Sequence, residues 1–284
     1  MNKMNYGCVG LCVAISGGTS GIGLAAALRF LVDGARVYIL GRSEERGAQA
    51  LRYLEEQTGK QAVYISCDVT KQAECKAAVA KIAEQETRPD WQLDILVNSA
   101  GFYREQRLEQ LTEADFDAMM NVNVKGMMFL TQAALPYLRS KSSVVNIASD
   151  AAVSGNYGCA LYCATKGAVV AFTRALALDL APSVRVNCVC PADVDTPLLA
   201  QQLADANGGY TLADVASAYP LQRIAAAGMQ LLQPIPPAGN DPDLIVGSFF
   251  INGVHQLPPD AGGGAGDDSN FHMIGHSVSH VIYR

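Results

Sequence analysis

The amino-acid sequence predicts an α/β fold: a doubly wound parallel sheet in a single domain, with helices on both faces. Two observations predict it, since short apolar runs recur at regular distances and segments of helix length separate them. The runs are nearly continuous in apolar character, which is typical of strands that are covered on both faces. They lie at residues 9–15, 36–40, 62–66, 93–98, 143–148 and 184–189.

The segments between the apolar runs have the spacing of amphipathic helices. In the first of them, Leu24, Leu28 and Leu31 share one helical face. Ser43, Thr70 and Thr112 stand where helix N-caps are expected. Helices are predicted at residues 22–32, 44–57, 73–85, 112–138 and 160–180. Strands that alternate with helices form right-handed crossovers, and such sheets bind ligands beyond the carboxyl ends of the strands.

Composition and charge exclude several classes of protein. Of the 284 residues, 50% are hydrophobic and 17% are charged, so the chain can bury a core and is not intrinsically disordered. The net charge of −6 argues against nucleic-acid binding. No run approaches about 18 consecutive apolar residues, so we expect no contact with a membrane. The eight cysteines form no C-x-x-C pair, and we interpret them as buried packing residues of a cytoplasmic protein.

A glycine-rich turn follows the first predicted strand. Gly17, Gly21 and Gly23 form G-x-x-x-G-x-G where that strand ends and the first helix begins. Glycine lets the backbone approach a pyrophosphate, and the helix N-terminus supplies free N–H groups to bind it. The same turn argues against an N-terminal signal peptide, because no small-residue cleavage site separates the first apolar run from it. The sequence therefore predicts a dinucleotide site here.

Four polar residues form a candidate catalytic set. Tyr162 and Lys166 are four residues apart and share a helical face. A cation beside a phenol lowers the pKa of the phenol, so Tyr162 is a candidate for proton transfer, although an exposed Tyr–Lys pair is the alternative. Ser149 follows a predicted strand. Its hydroxyl can hydrogen-bond the same substrate oxygen that Tyr162 would protonate. Asn123 lies inside a predicted helix, and a buried amide there must find partners, as it would in a proton relay.

Together these motifs resemble the short-chain dehydrogenase/reductase family. The glycine turn is similar to the family pattern T-G-x-x-x-G-x-G, with Ser16 in place of Thr. The resemblance extends over residues 8–223 and includes the four polar residues. Three further segments are similar to family motifs: Asp68-Val69 to the acidic adenine contact, Asn98-Ser99-Ala100-Gly101 to N-N-A-G, and residues 191–196 to P-G-x-V-x-T with Ala192 for Gly.

The resemblance implies a Rossmann-like fold and an NADP(H)-dependent alcohol dehydrogenase or carbonyl reductase that needs no metal. It implies that Tyr162 is the general acid or base and that Lys166 lowers its pKa and holds the nicotinamide ribose. It implies that Ser149 orients the carbonyl and that Asn123 holds a relay water. The cofactor contacts it implies are Gly17, Thr19, Ser20, Gly21, Ile22, Gly23, Arg42, Asp68, Val69, Asn98, Ala100, Gly101, Tyr162, Lys166, Pro191, Val194 and Thr196.

The choice between NADP and NAD depends on the end of the second strand. Folds that prefer NAD place an acid there to bind the ribose hydroxyls. This chain has Gly41 at that position and Arg42 after it. Arginine attracts a 2′-phosphate, so we predict NADP and leave NAD as possible, because Thr19 and Ser20 add no second cation. The alternative is that Arg42 is only a solvated surface charge.

The carboxyl end departs from the family pattern. We predict a catalytic domain at 1–254, with a substrate lid at about 195–222 and an atypical Pro-rich segment at 225–243. A closing loop and tail follow at 255–284. The histidines of the tail, His272, His276 and His280, recur every four residues, and we interpret them as solvated rather than as a metal site, because Gly275 weakens a helix there.

Other functions remain open at this point. A 3-oxoacyl-thioester reductase would need a basic patch for its carrier, which the acidic balance disfavours. A nucleotide-binding sensor without catalysis could keep the same fold, although the complete polar set speaks against it. A sugar-nucleotide epimerase would carry a larger second domain. The partners we expect are a small carbonyl or alcohol substrate and, by resemblance, further copies of the chain in a dimer or tetramer.

Overall fold

A computed structural model describes residues 7–86, 92–206, 209–219, 222–227 and 250–252. Strands and helices alternate along it, as predicted. The strands are β1 (Cys12–Ser16), β2 (Arg36–Gly41), β3 (Val63–Ser66), β4 (Leu93–Asn98), β5 (Leu138–Ile147), β6 (Val184–Val189), β7 (Val194–Asp195), β8 (Ala225–Ala226) and β9 (Phe250–Asn252). The helices are α1 (Gly21–Val32), α2 (Glu44–Thr58), α3 (Gln72–Gln85), α4 (Glu113–Met120), α5 (Met127–Ala134), α6 (Ala160–Leu180), α7 (Pro197–Asp205) and α8 (Leu212–Ser217).

The main sheet has the order β3-β2-β1-β4-β5-β6-β9. Its first six strands are parallel, and β9 pairs antiparallel with β6 at one edge. The chain runs outward from β1 to β3 and then returns to the other side of β1 with β4, so the strand order reverses between β1 and β4. Ligands bind at such a switch point, which confirms the predicted doubly wound fold and locates its cleft.

The core lies on both faces of the sheet. Along β1, Cys12 and Ala14 face the side covered by α3, α5 and α6, while Val13 and Ile15 face the side covered by α1 and α2. Every residue of β1 is buried. This two-sided cover is why the strands are apolar at successive positions rather than at alternate ones. All eight cysteines are free thiols, and only Cys163 is not fully buried, which confirms their packing role.

Several predicted elements have different bounds in the structure. Strand β5 starts at Leu138 rather than at residue 143, and the N-cap of α3 is Lys71 rather than Thr70. The first strand starts at Cys12 rather than at residue 9, because Gly10 adopts φ +74° in a turn whose N–H binds the carbonyl of Gly34. The helix predicted at 112–138 divides into α4, a π-helical turn at Asn121–Gly126, and α5. It ends in a 3-10 turn at Leu135–Tyr137, where Pro136 cannot continue an α-helix.

Helix α6 is long and apolar enough, by length and composition, to match a membrane span. Its buried residues pack against the sheet instead: Ala177 joins the cluster of Val186, and Val169 joins that of Cys188. A core helix of an α/β fold has the same composition, so α6 is explained by its place against β6.

Buried amides and hydroxyls join the central strands beneath the cleft. Asn146 on β5 is fully buried; its Oδ1 accepts from Asn98 Nδ2 at 2.8 Å, and its Nδ2 donates to Thr173 Oγ1 at 2.9 Å. Asn98 Nδ2 also donates to Thr131 Oγ1 at 2.9 Å. The network connects β4, β5, α5 and α6, so it fixes the elements that carry the candidate site.

We expect Asn146→Ala to lower the free energy of unfolding by about 2–3 kcal/mol, because it removes two buried hydrogen bonds and leaves a cavity. Urea denaturation measures this change. Asn156→Ala is the matched control, because Asn156 is exposed on a loop, and its effect should lie within about 0.5 kcal/mol. Equal effects at the two positions would contradict the structural role of the network.

Candidate active site

The glycine turn forms a cradle between β1 and α1. A Cβ atom on Gly23 would lie 2.4 Å from the carbonyl oxygen of Gly17, and one on Gly17 would lie 2.7 Å from the backbone nitrogen of Ala100. Gly17 and Gly21 adopt φ +66° and +53°, which side chains disfavour. Ser20 caps α1 without a side-chain hydrogen bond, so its hydroxyl leaves the first-turn N–H groups free for a ligand. These features fit a dinucleotide pyrophosphate.

Two neighbouring segments close this cradle. The Ser16 hydroxyl accepts from the backbone N–H of Ala100 at 3.3 Å, so the Ser-for-Thr departure keeps the contact. Thr196 lies opposite, since a Cβ on Gly21 would come within 3.3 Å of its Cγ2. The backbone carbonyl of Pro191 accepts from the N–H of Asp150 at 2.9 Å. The structure thus brings the predicted 191–196 segment to both the glycine turn and the loop after β5.

The end of β2 carries an exposed cation. Arg42 is exposed, and its positive charge lowers the pKa of the Asp68 carboxyl. A Cβ on Gly41 would lie 2.9 Å from Thr19 Cγ2, so a larger residue does not fit there unless Thr19 moves. The position at which NAD-preferring folds place an acid is therefore occupied by glycine and crowded by Thr19.

The side chain of Asp68 caps the turn that follows β3. Its Oδ1 accepts from the Thr70 N–H at 3.1 Å and from the Thr70 hydroxyl at 2.8 Å. Burial raises the pKa of Asp68, but these hydrogen bonds outweigh it, and the pKa lies below its ordinary value. The carboxylate is thus held at the end of β3, next to Val69, which is buried. Their contact with an adenine stays a prediction.

Lys166 is buried at the floor of the cleft. Its Nζ donates to the carbonyl of Ile147, the last residue of β5, at 2.9 Å, and lies 5.6 Å from the centroid of the Tyr162 ring. Burial lowers the pKa of Lys166 to about 8. A Cβ on Gly101 would lie 3.8 Å from the same Nζ, so the loop after β4 passes directly over the lysine.

Tyr162 does not have the lowered pKa that the sequence predicts. Burial raises the pKa of its phenol above the ordinary value, and the carboxylates of Asp150 and Asp193 raise it further. The hydrogen bond to Ser149 acts in the opposite direction but does not compensate. Burial is thus the main physical reason, and the ammonium of Lys166 donates its hydrogen bond to the Ile147 carbonyl rather than to the phenol.

Ser149 lies directly after β5, at the start of the following loop, as predicted. Its hydroxyl donates to Asp150 Oδ1 at 2.9 Å and accepts from the Ala151 N–H at 3.2 Å. Its interaction with Tyr162 lowers the pKa of that phenol. Ser149 is buried with only 8% exposure. A substrate oxygen bound by both Ser149 and Tyr162 would therefore lie at the wall of the cleft.

The side chain of Asn123 is occupied by protein groups. Its Oδ1 accepts from the Phe102 N–H at 2.7 Å, and its Nδ2 donates to the Phe102 carbonyl at 2.9 Å and to Thr165 Oγ1 at 3.1 Å. Thr165 in turn donates to the carbonyl of Tyr162 at 2.8 Å. Asn123 thus ties the loop after β4 to α6, and its role with a relay water stays a prediction.

Sequence reasoning missed an aromatic residue that packs on the candidate catalytic tyrosine. The ring of Tyr103 meets the Tyr162 ring edge-on, with centroids 4.8 Å apart and an angle of 79° between planes. The Tyr103 hydroxyl lies 3.0 Å from Cys159 Sγ at the start of α6. Its only signal in the sequence is an aromatic residue shortly after the Asn98–Gly101 motif.

The segment predicted as a lid is tied across the cleft by tyrosines. Tyr210 donates to Glu105 Oε2 at 2.9 Å and accepts from Gln202 Nε2 at 2.8 Å. Tyr219 donates to Asp193 Oδ2 at 2.7 Å. Residues 225–227 begin the Pro-rich segment with β8, which pairs with β7. The rest of that segment and the histidines of the tail lie outside the described residues.

Comparison with known proteins decides the family. The family model described as short chain dehydrogenase matches residues 11–207. The chain belongs to the short-chain dehydrogenase family. It is an oxidoreductase of that class, and the fold and resemblance predicted from sequence are confirmed. Glucose and ribitol dehydrogenase homolog 2 of Arabidopsis thaliana is 36% identical over 197 residues, which cover 67% of this chain and 67% of that protein.

Solved structures of this family share the fold. A short chain dehydrogenase from Burkholderia cenocepacia J2315, in complex with NADP, matches with a TM-score of 0.68 and 33% identity, over 78% of this chain and 87% of that chain. The 3-ketoacyl-(acyl-carrier-protein) reductase from Brucella melitensis, complexed with NADH, matches with a TM-score of 0.67 and 28% identity, over 78% and 87%.

Proposed function

We propose that this short-chain dehydrogenase is an NADP(H)-dependent alcohol dehydrogenase or carbonyl reductase with Tyr162 as its general acid and base. The observation that carries the proposal is the convergence of Tyr162, Ser149 and Lys166 beside a glycine cradle that a Cβ atom would fill. A proton-transfer group next to a dinucleotide site is what carbonyl reduction requires.

Each residue of the site has a distinct task in this proposal. Tyr162 donates its phenolic proton to the carbonyl oxygen in reduction and accepts it in oxidation. Ser149 binds the same oxygen and orients the substrate. Lys166 projects from α6 toward the end of β5, where its Nζ would bind the nicotinamide ribose. The cofactor, when bound, supplies or accepts a hydride. The burial of Ser149 and Lys166 excludes water from these groups.

We also propose that NADP is preferred over NAD, with Arg42 binding the 2′-phosphate. The exposed guanidinium and the glycine at position 41 support this choice. The two structural relatives hold NADP in one case and NADH in the other, so use of both cofactors is part of the proposal.

Arg42→Ala tests the cofactor choice. We expect the Kd of NADPH to rise about 10-fold, because one charge-assisted hydrogen bond is worth about 1.5–3 kcal/mol, and we expect the Kd of NADH to change little. Fluorescence titration with each cofactor measures both constants. Arg52→Ala is the control, since Arg52 is an exposed arginine more than two turns into α2. An equal loss for NADPH and NADH would contradict the assignment.

A 3-oxoacyl-thioester reductase is the second candidate. Similarity to the 3-ketoacyl-(acyl-carrier-protein) reductase favours it, whereas the net charge of −6 disfavours a phosphorylated carrier. Consumption of NADPH with aldehydes, cyclic ketones, aldoses and a 3-oxoacyl thioester separates the two. Turnover of the thioester alone would select the second candidate, and cofactor binding without any turnover would favour the non-catalytic sensor.

We further propose that the chain forms a homo-oligomer in the cytoplasm and takes a small-molecule substrate. Apolar side chains exposed on α4 and α6, Phe116 and Leu178, support self-association, and eight free thiols support a reducing compartment. Light scattering after size-exclusion chromatography measures the number of copies.

A further inference from the structure

An aromatic residue outside the predicted site is held against the candidate catalytic tyrosine. Tyr103 lies in the loop after β4, and Tyr162 lies in the first turn of α6. Their ring centroids are 4.8 Å apart, and their ring planes are 79° from each other. In this arrangement the positive edge of one ring meets the negative face of the other, which is a favoured geometry of aromatic pairs. The contact therefore has a preferred orientation as well as a preferred distance.

The loop that carries Tyr103 is anchored on both sides of this residue. Asn123 clamps the residue before it: its Oδ1 accepts from the Phe102 N–H at 2.7 Å, and its Nδ2 donates to the Phe102 carbonyl at 2.9 Å. On the other side, the N–H of Gln106 donates to the carbonyl of Gly158 at 2.8 Å. Because both flanking segments are anchored, the backbone of Tyr103 is held beside the start of α6.

The side chain of Tyr103 has an anchor of its own. Its hydroxyl lies 3.0 Å from Sγ of Cys159, the buried N-cap residue of α6. Burial raises the pKa of the Tyr103 phenol and the pKa of the Cys159 thiol, so this hydrogen bond joins two uncharged groups near neutral pH. The hydroxyl thus fixes the Tyr103 ring on α6, and the ring is the part that meets Tyr162.

A second group is held against the Tyr162 ring. The ammonium Nζ of Lys166 lies 5.6 Å from the ring centroid and is fixed on the Ile147 carbonyl at 2.9 Å. Tyr103 and Lys166 are therefore both anchored by contacts that do not involve Tyr162. A proton transfer requires a heavy-atom distance of about 2.6–3.2 Å, so even a small tilt of the Tyr162 ring would carry its phenolic oxygen out of range.

We propose that Tyr103 is a positioning residue that holds the Tyr162 ring at the tilt which proton transfer requires. It acts through the contact between the rings, and its hydroxyl serves to fix its own ring on Cys159. The side chain of Asn123 contributes to the same task, because it clamps Phe102. This inference rests on the proposed function of the site, since it takes Tyr162 as the general acid and base.

Tyr103→Leu and Tyr103→Phe separate the ring from the hydroxyl. Leucine has no ring edge to present to Tyr162, so we expect kcat to fall about 10-fold while the KM of the substrate and the Kd of NADPH stay within about 2-fold. Phenylalanine keeps the ring, so kcat should recover to within about 3-fold of the wild-type value. Tyr157→Leu is the matched control and keeps the wild-type constants, because Tyr157 is an exposed tyrosine in the loop before α6.

Three kinetic results would overturn the inference. The first is a wild-type kcat in Tyr103→Leu. The second is an equal loss of kcat in Tyr103→Phe and Tyr103→Leu, which would assign the effect to the hydroxyl rather than to the ring. The third is a raised KM with unchanged kcat in Tyr103→Leu, which would make Tyr103 a substrate contact.

A second measurement needs no substrate, so it stands even if the proposed function fails. In enzyme made with 3-fluorotyrosine, the ¹⁹F NMR signal of Tyr162 is identified by its disappearance in Tyr162→Phe. We expect this signal to broaden in Tyr103→Leu, because the Tyr162 ring then samples several tilts, and to stay as sharp as in the wild type in Tyr103→Phe. A Tyr162 signal that is equally sharp in Tyr103→Leu and in the wild type overturns the inference, whatever the panel of substrates shows.

Discussion

Tyr162→Phe is expected to lower kcat by about 10³-fold, because phenylalanine keeps the ring but has no proton to transfer. The ring packs edge-on against Tyr103, and this contact does not need the hydroxyl. The Kd of NADPH should therefore stay within about 2-fold of the wild-type value, since the phenylalanine ring fills the same space. Steady-state kinetics with the best substrate of the panel and fluorescence titration with NADPH measure the two quantities.

Tyr157→Phe is the matched control for this experiment. Tyr157 lies in the loop before α6 and is 81% exposed, with the Arg107 guanidinium carbon 5.6 Å from its ring centroid. Removal of its hydroxyl should change kcat by less than about 2-fold, as expected for a surface substitution. If both variants kept full activity, Tyr162 would not be the general acid.

Gly23→Ala is expected to remove cofactor binding and to destabilise the fold by about 1–3 kcal/mol. The added Cβ would lie 2.4 Å from the Gly17 carbonyl oxygen, a backbone atom that cannot move without opening the turn. The Kd of NADPH should rise about 100-fold, because the displaced backbone no longer fits a pyrophosphate. Calorimetry and thermal denaturation measure these effects.

Gly167→Ala is the control for Gly23→Ala, and we expect it to have the opposite effect on stability. Nothing lies within 4 Å of a Cβ on Gly167, which sits inside α6 next to Lys166. Alanine is the better helix former by about 1 kcal/mol, so this variant should be equal to or more stable than the wild type. A loss of cofactor binding in Gly167→Ala and not in Gly23→Ala would contradict the cradle.

The sequence is sufficient for the fold because its signals are local or periodic. Residues Cys12 to Ile15 are apolar in succession, because each face of β1 packs on a different helical layer. The glycines of the turn are equally visible, because a Cβ on Gly17 or Gly23 would meet a nearby backbone atom and Gly21 adopts a positive φ. The alternation of strands and helices then places helices on both faces of the sheet and brings the motifs to the carboxyl ends of its strands.

The geometry of the site was less predictable because its contacts link residues far apart in the chain. The spacing of Tyr162 and Lys166 predicts a shared face, but not that the ammonium binds the Ile147 carbonyl. The predicted lowering of the Tyr162 pKa was wrong, because burial raises the pKa of the phenol and the carboxylates of Asp150 and Asp193 add to this effect.

The ties of the lid could not be found from the sequence either. Tyr210 and Glu105 are separated by 105 positions, and no periodic pattern connects them. Tyr219 and Asp193 likewise meet only when β7 and the segment after α8 come together. Such pairs depend on the path of the loops, whose backbone follows no repeating geometry.

The central claim is that the chain transfers a hydride between NADPH and a carbonyl carbon, with Tyr162 supplying the proton. The most direct test uses NADPH deuterated at the transferred position of nicotinamide C4, with mass spectrometry of the product alcohol. The account predicts one deuterium on the carbinol carbon with the wild-type enzyme and loss of product with Tyr162→Phe. Unlabelled product, or equal product from the two enzymes, would contradict it.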